Sequence, residues 1–165
     1  MTGRVAGKIA LVTGGGSGLG AADCAALARE GATVVVTDVA LDTAQRVADR
    51  IGNGAIALAL DVADEANWLS VIAEVDRRFG KLDILVNNAG IVQMADCEDV
   101  TLDQFRRVNS IMNEGVFLGC KHALPLLKRA DNASIINMSS TGALLGYPIF
   151  FAYSEIGRAS CRERV

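Results

Sequence analysis

Short apolar runs alternate with longer stretches in which apolar residues recur at helical spacing. The runs are rich in β-branched residues and lack polar alternation, which is typical of strands buried on both faces of a parallel sheet. The predicted strands are Ile9–Thr13, Thr33–Thr37, Ala55–Leu60, Ile84–Asn87 and Ser134–Met138. The predicted helices are Gly18–Arg29, Asp42–Ile51, Asp64–Phe79 and a long region from Thr101 to about Arg129. This alternation predicts an α/β fold with right-handed crossovers.

The ends of the predicted helices carry recognisable stop and start residues. Asp64 and Thr101 are of the type that caps a helix N-terminus, and Gly80 is a typical C-terminal stop. Pro125 lies inside the long helical region and is expected to kink it, because proline cannot donate the helical hydrogen bond. Ile135 and Ile136, on the last predicted strand, are expected at an exposed apolar edge of the sheet.

Composition narrows the class of protein. The 165 residues are 51% hydrophobic and 21% charged, as expected for one globular domain. The net charge of −3 gives no electrostatic reason to expect a nucleic acid or an anionic membrane as partner. No apolar run resembles a signal peptide or a membrane helix. The four cysteines are far apart, which argues against a metal site or a disulfide framework and favours a cytoplasmic location.

A glycine-rich loop joins the first strand to the first helix. The run Thr13–Gly20 reads TGGGSGLG. Gly14 allows a sharp turn, Gly18 lets the backbone approach a pyrophosphate, and Gly20 lets the helix pack closely on the strand. The helix N-terminus offers N–H groups and the positive end of its dipole to phosphates. The strand–loop–helix context predicts a dinucleotide site.

An acidic residue at the end of the second strand indicates which dinucleotide. Asp38 follows Gly20 by 18 residues, where a carboxylate accepts hydrogen bonds from the adenosine ribose and repels a 2′-phosphate. Neither Ser17 nor Val39 is basic. NAD is therefore predicted over NADP, and the alternative interpretation of Asp38 is a turn or cap residue.

Five motifs together resemble the short-chain dehydrogenase/reductase family over about residues 5–154. They are the TGxxxGxG spacing of the loop, Asp61-Val62 after the third strand, the NNAG of Asn87–Gly90, the GVFLG of Gly115–Gly119, and the interval from Ser140 to Tyr153. The resemblance implies a doubly wound parallel sheet in the order 3-2-1-4-5, incomplete at its C-terminal end. Sugar-nucleotide epimerases of the extended branch are disfavoured, because their glycine spacing is TGxxGxxG.

The resemblance also implies roles for individual residues. Tyr153 is the general acid/base, and Ser140 hydrogen-bonds the substrate oxygen. The implied cofactor-binding residues are Gly14, Ser17, Gly18, Leu19, Gly20, Asp38, Asp61, Val62, Asn88, Ala89 and Gly90. Asp61 and Val62 correspond to the adenine contact, whereas Asn88 and Gly90 correspond to the ribose side. No metal is implied.

Two positions depart from the family pattern. The family's catalytic lysine, four residues after the tyrosine, is replaced by Gly157, and Arg158 lies about 100° around a helix from the required direction. The family's catalytic asparagine is replaced by Met112. Asn109 and Asn113 are both near enough in sequence to supply an amide, and the sequence does not choose between them.

The last residues have a different character. The run 155–165 lacks the apolar periodicity of a sheet-packing helix and back-translates to one frame of a short-read sequencing adapter. We therefore expect an NAD-binding domain over residues 1–154 followed by a non-native tail.

The resemblance implies an NAD(H)-dependent oxidoreductase that interconverts a secondary alcohol and a ketone, close in character to bacterial hydroxysteroid and secondary-alcohol dehydrogenases. Its full-length form is expected to be a homo-oligomer, a dimer or tetramer, while the chain as written is expected to be inactive because the lysine is absent. The alternative is a catalytically inactive NAD-binding protein. An apolar segment before Tyr153 is expected either in the core or as a wall of the substrate pocket; it comprises Leu144, Leu145, Tyr147, Phe150 and Phe151.

Overall fold

The sheet and its helices follow the predicted order. The structure is a computed structural model that describes residues 3–145, 147 and 149–154. The strands are β1 (Ile9–Thr13), β2 (Thr33–Asp38), β3 (Ile56–Ala59), β4 (Ile84–Asn87) and β5 (Ser134–Asn137). The helices are α1 (Gly18–Arg29), α2 (Leu41–Ile51), α3 (Glu65–Phe79), α4 (Leu102–Asn109) and α5 (Gly115–Leu127). The proposed tail, 155–165, and with it Gly157 and Arg158, lies outside the described residues.

All five strands are parallel and lie in the order β3-β2-β1-β4-β5, which confirms the predicted fold class and strand order. The register aligns Val12 with Val36 on one side and with Val86 on the other. The carboxyl ends of β1, β2 and β4 therefore meet at one edge of the sheet, where ligands bind in folds of this class.

Alternate residues of each central strand enter two separate cores. Leu11, Val35 and Leu85 belong to the core under α3 and α5. Val12, Val36 and their neighbours face the other layer, where α1 and α2 pack. This alternation follows from the pleat of the strands, and it explains why the central strands have no polar face.

Trp68 of α3 is the largest fully buried side chain among the described residues. Its indole Nε1–H donates to the Val62 carbonyl oxygen at 2.9 Å, so burial leaves no unpaired donor. Gly119 of α5 lies directly against this ring, and a Cβ added there would be 2.9 Å from Trp68 Cη2. The small residue lets α5 approach the sheet closely.

The long helical region differs from the prediction. Thr101 caps α4 in a reciprocal capping box with Gln104. The region is then interrupted by a π-helical turn at Ser110–Glu114, and α5 continues past Pro125 to end at Leu127. Sequence periodicity did not predict the π turn, because one additional residue per turn leaves no compositional mark. None of the helices in the described ranges is long and apolar enough to cross a membrane.

Candidate active site

The glycine loop between β1 and α1 is shaped by steric requirements at several positions. Gly14 and Gly18 have positive φ angles of 63° and 51°, which favour glycine. A Cβ added at Gly20 would lie only 2.2 Å from the Gly14 carbonyl oxygen. A Cβ added at Gly18 would meet no atom within 4 Å, so its backbone faces the cavity without obstruction. The backbone of these glycines lines an open depression, the glycine cradle, which side chains at the same positions would fill.

The N-terminus of α1 is left open toward this cradle. Ser17 occupies the N-cap position but makes no capping hydrogen bond with its side chain, and the first turn holds no acidic residue. The N–H groups and the positive dipole end are therefore available to an anion. These features fit the pyrophosphate of a dinucleotide.

A buried cysteine underlies the loop. A Cβ added at Gly15 would lie 3.1 Å from Cys24 Sγ, so the thiol packs tightly beneath the turn. Burial, assisted by the neighbouring charge of Asp23, raises the pKa of the Cys24 thiol to about 12. Cys24 is therefore a neutral packing residue rather than a nucleophile.

Thr13 and Asn88 join the loop to β4. The Thr13 hydroxyl oxygen accepts hydrogen bonds from the backbone N–H groups of Asn88 and Ala89, each at 2.9 Å. The Asn88 side-chain amide donates to the carbonyl oxygens of Thr13 and Gly14 at 2.9 and 3.3 Å. Asn88 thus lines the cavity while its amide nitrogen holds the glycine loop in place.

Asp38 is fixed at the end of β2 by two backbone donors. The N–H of Gly16 donates to Oδ2 at 3.0 Å, and the N–H of Ala40 donates to Oδ1 at 3.1 Å. Each carboxylate oxygen keeps further lone-pair capacity for a ligand hydroxyl. The carboxylate is therefore oriented at the cavity before any ligand binds.

One cavity of about 610 Å³ runs along this edge of the sheet. Every residue that the sequence assigned to the cofactor lines it: Gly14, Ser17, Gly18, Leu19, Gly20, Asp38, Asp61, Val62, Asn88, Ala89 and Gly90. The cavity is also lined by Arg107, Ser110 and Ile111, which sequence reasoning missed. Their i, i+3, i+4 spacing on one helical face is the signal that could have identified them.

A second cavity, of about 640 Å³, adjoins the first and holds both predicted catalytic residues, Ser140 and Tyr153. Leu19 and the segment Asn88–Ile91 line both cavities, so the two form one continuous cleft. Gly142 lies between the catalytic pair. A Cβ added there would be 3.1 Å from Tyr153 Cε1 and 3.5 Å from Ser140 Oγ.

The Ser140 hydroxyl accepts a hydrogen bond from the Gly142 N–H at 3.1 Å. A serine hydroxyl has two acceptor positions and one donor, so this contact leaves the hydrogen of Ser140 available to a ligand oxygen. Ser140 is also the N-cap of a short 3₁₀ helix at Thr141–Ala143, which holds its backbone in place.

The structure distinguishes the two candidate asparagines. Asn113 lines the cavity of Ser140 and Tyr153, whereas Asn109 does not. Asn113 Nδ2 donates to Asn109 Oδ1 at 3.3 Å, and Asn109 Nδ2 donates to Glu114 Oε1 at 2.9 Å. Met112 lines the same cavity. The π-helical turn carries Met112 and Asn113 together, so both reach the cleft.

The apolar segment before Tyr153 divides into two parts: Phe150 and Phe151 are half-buried, whereas the other three residues of the segment fit neither expectation. Leu144, Leu145 and Tyr147 are exposed, with Leu144 at 74%, and they line neither part of the cleft. Val92, in the loop after β4, lines the second cavity instead. The two loops meet through a hydrogen bond from the Ala95 N–H to the Ile149 carbonyl oxygen at 2.9 Å.

Two basic residues lie on the other side of the glycine loop, which sequence reasoning also missed. Arg46 and Arg50 of α2 line a cavity of about 430 Å³ together with Gly16, Ser17 and Thr43. Arg46 pairs with the exposed Asp42 at 3.0 Å. Asp38, which accepts from Gly16, stands beside this basic cavity and contributes a negative charge at its boundary.

Comparison with known proteins identifies a family. The family model described as short chain dehydrogenase matches residues 8–155. The 3-beta-hydroxysteroid dehydrogenase of Comamonas testosteroni is 41% identical over 154 residues, which are 93% of this chain and 60% of that protein.

Two further curated relatives act, by their names, on related classes of alcohol. Trans-4-hydroxycyclohexanecarboxylate dehydrogenase of Sinomonas cyclohexanicum is 41% identical over 160 residues, 92% of this chain and 61% of that protein. The 3-alpha-(or 20-beta)-hydroxysteroid dehydrogenase of Mycobacterium bovis is 39% identical over 146 residues, 88% of this chain and 56% of that protein. The chain spans about 60% of the length of the curated relatives it matches.

Proposed function

Because this chain belongs to the short-chain dehydrogenase family, we propose that it forms the cofactor-binding part of an NAD(H)-dependent oxidoreductase that interconverts a secondary alcohol and a ketone. One observation carries the proposal: a single cleft contains the open glycine cradle at one end and the pair Ser140 and Tyr153 at the other. A dinucleotide bound in the cradle would extend toward that pair along the shared segment Asn88–Ile91.

In this proposal the pyrophosphate lies on the N-terminus of α1, and Asp38 accepts hydrogen bonds from the adenosine ribose. Asp61 and Val62 contact the adenine, while Gly90 lies at the nicotinamide ribose. NAD(H), when bound, supplies or accepts the hydride. The chain itself orients the cofactor and fixes the position of the substrate oxygen.

Ser140 and Tyr153 are proposed to act on that oxygen. The free hydrogen of the Ser140 hydroxyl donates to the substrate oxygen and stabilises the negative charge that develops there. The Tyr153 hydroxyl exchanges a proton with the same oxygen as general acid or base. Asn113 is the proposed source of the amide that the family draws from the position of Met112, since Asn113 lines the same cavity.

The proposed substrate class is an alicyclic secondary alcohol. Apolar side chains from four separate segments line the catalytic part of the cleft: Val92, Met112, Val116, Phe117 and Met138. Such a lining favours a ring-containing apolar substrate, whose one polar group is then directed to Ser140. The names of the curated relatives, which refer to steroid and cyclohexane alcohols, support the same class.

Cofactor titration tests the first part of the proposal. We expect NADH to bind the chain more tightly than NADPH, as measured by fluorescence of the reduced nicotinamide. Asp38→Ser should lower the NADH/NADPH preference by about tenfold, because the 2′-phosphate then meets no carboxylate. Asp61→Ser is the matched control and should affect both cofactors equally, since the adenine is common to them. Tighter NADPH binding by the unmodified chain would contradict the assignment.

One sequence position favours a second candidate function, binding of NAD without chemistry. Gly157 stands where the family has a lysine that holds the nicotinamide ribose and promotes ionisation of the tyrosine. We propose that the chain as written binds cofactor without measurable turnover. Sequencing codon 157 from independently prepared DNA, and assaying that gene's product with NAD⁺ and cyclohexanol, decides between the candidates. A lysine with turnover supports the enzyme, whereas a glycine without turnover supports the binding protein.

A further inference from the structure

One face of α4 and of the following π turn contributes to the cofactor cavity. Arg107, Ser110 and Ile111 line it, with the i, i+3, i+4 spacing of a single helical face. The loop after β3, with Asp61 and Val62, also lines this cavity. A Cβ added at Gly115, the first residue of α5, would be 2.9 Å from Val62 Cγ2, so α5 contacts this loop. Arg107 lines the cavity that holds Asp38 and Asp61, and it does not line the cavity of Ser140 and Tyr153.

The cavity has more negative than positive side chains, although the ligand it is proposed to hold is itself negatively charged. Its charged lining residues in the described part of the chain are two carboxylates, Asp38 and Asp61, and one guanidinium, Arg107. A dinucleotide brings two further negative charges on its pyrophosphate. The α1 N-terminus supplies partial positive charge. Among the described residues that line this cavity, Arg107 is the one cationic side chain, and it can add a full charge.

Arg107 is also unpaired, in contrast to its neighbour. Arg106 lies 3.7 Å from the Asp103 carboxylate on the outer face of the helix and does not line the cavity. Arg107 has no acidic partner within salt-bridge distance among residues 3–145, 147 and 149–154. A cation without an internal partner, at the wall of a cavity that fits an anion, is available to that anion.

We propose that Arg107 binds the adenosine-phosphate half of the dinucleotide. This inference rests on the proposed function, because it names a further ligand-binding residue of the same site. The guanidinium has five N–H donors and remains charged at every physiological pH. Its planar face can also cover the adenine, where a cation is attracted to the ring. The contact involves no 2′-phosphate, so it should serve NADH and NADPH alike.

The test compares two neighbouring arginines on the same exposed helix. Arg107→Ala should weaken NADH binding about five- to tenfold, as measured by fluorescence titration, because one charged contact is removed. Arg106→Ala is the matched control and should stay within about twofold of the unmodified chain. Reduced nicotinamide mononucleotide, which lacks the adenosine half, should bind Arg107→Ala and the unmodified chain equally, whereas ADP-ribose should follow NADH. Circular dichroism melting of both variants checks that the fold is kept.

Four outcomes would overturn the inference. Unaltered NADH affinity in a folded Arg107→Ala variant refutes it while leaving the proposed function intact. Equal losses of NADH affinity in the Arg106 and Arg107 variants would show that general surface charge, and not a contact of Arg107, causes the effect. A loss confined to NADPH would place Arg107 at the 2′-phosphate instead. Absence of NADH binding by the unmodified chain would refute the proposed function, and this inference with it.

Discussion

The central strand β1 and the edge strand β5 differ sharply in burial although both are rich in apolar residues. All five residues of β1 are buried, whereas all four residues of β5 are exposed. Both strands are apolar runs, IALVT and SIIN. β1 has helices on both faces and a strand on either side, while β5 is the edge of the described sheet. An apolar run therefore predicts a strand, but only the surrounding layers determine whether it is buried.

The two halves of the cleft are also held in place by different parts of the structure. The cofactor half is held by hydrogen bonds between neighbouring strands and loops, such as those of Thr13 with Asn88 and of Asp38 with Gly16. The catalytic half depends on loops after β4 and β5, joined by the isolated bridge between Ala95 and Phe150. The sheet thus preorganises the proposed cofactor site, and local turns organise the proposed catalytic pair.

The largest expected effect tests this contrast within one register pair. Leu85 of β4 and Ile135 of β5 are aligned neighbours, with side chains of equal carbon count, and they are 0% and 40% exposed. Leu85→Ala should lower the free energy of unfolding by about 3 kcal/mol, because it leaves a cavity in the core. Ile135→Ala should cost about 1 kcal/mol or less. Urea denaturation measures both, and equal losses would mean that β5 is covered in solution.

The next effect concerns the cofactor half. Gly20→Ala places a Cβ against the Gly14 carbonyl oxygen and the Asn88 amide, at 2.2 and 2.5 Å, neither of which can move without shifting the loop. We expect NADH affinity to fall by about 100-fold or more, equivalent to about 2.7 kcal/mol.

Gly54→Ala is the control for backbone strain. Gly54 has a positive φ of 75° but no atom near the added Cβ, and it lies outside the cleft. Its substitution should cost about 1 kcal/mol of stability and leave NADH binding unchanged. Normal NADH affinity in Gly20→Ala would show that the close packing of this turn is not needed for binding.

The smallest expected effect concerns Asp83, which lies at the amino ends of the strands, opposite to the cleft. Asp83 is fully buried and accepts from the Ile9 N–H at 2.9 Å, with Lys8 and Lys81 at 3.1 and 3.0 Å. Burial alone would raise the pKa of Asp83, but the Ile9 N–H and the two lysines outweigh it and lower the pKa below its ordinary 3.8. The ionised carboxylate therefore stabilises the folded state.

A lowered native pKa fixes the sign of the pH dependence. The contribution of Asp83 is complete above its unfolded-state pKa and disappears as the pH falls below that value toward the lowered native pKa. Asp83→Asn should cost about 1–2 kcal/mol at pH 7 and progressively less in acid. Urea denaturation between pH 7 and pH 3 measures this. A difference that does not shrink in acid would mean that the carboxylate's charge is not responsible.

Much of this molecule could be predicted from local sequence. The apolar runs identified the five strands of the described sheet, and the glycine spacing with Asp38 identified residues that line one cavity, because both signals depend on residues close together in the chain. Asp64 and Thr101 were correctly predicted as helix caps for the same reason: each bonds to N–H groups two or three residues ahead. The interval between Ser140 and Tyr153 singled out these two residues, and both line one cavity.

Other features were decided by tertiary structure alone. Asn113 of the π turn lines the cavity of Ser140 and Tyr153 whereas Asn109 does not, and Arg107 of α4 lines the cavity that holds Asp38 and Asp61. Leu144 and Leu145 are apolar yet exposed, and Arg46 reaches the other side of the glycine loop from a separate helix. Each of these depends on which elements lie across from one another. A residue's spacing fixes its place on its own strand or helix, whereas its surroundings are set by the packing of elements distant in the chain.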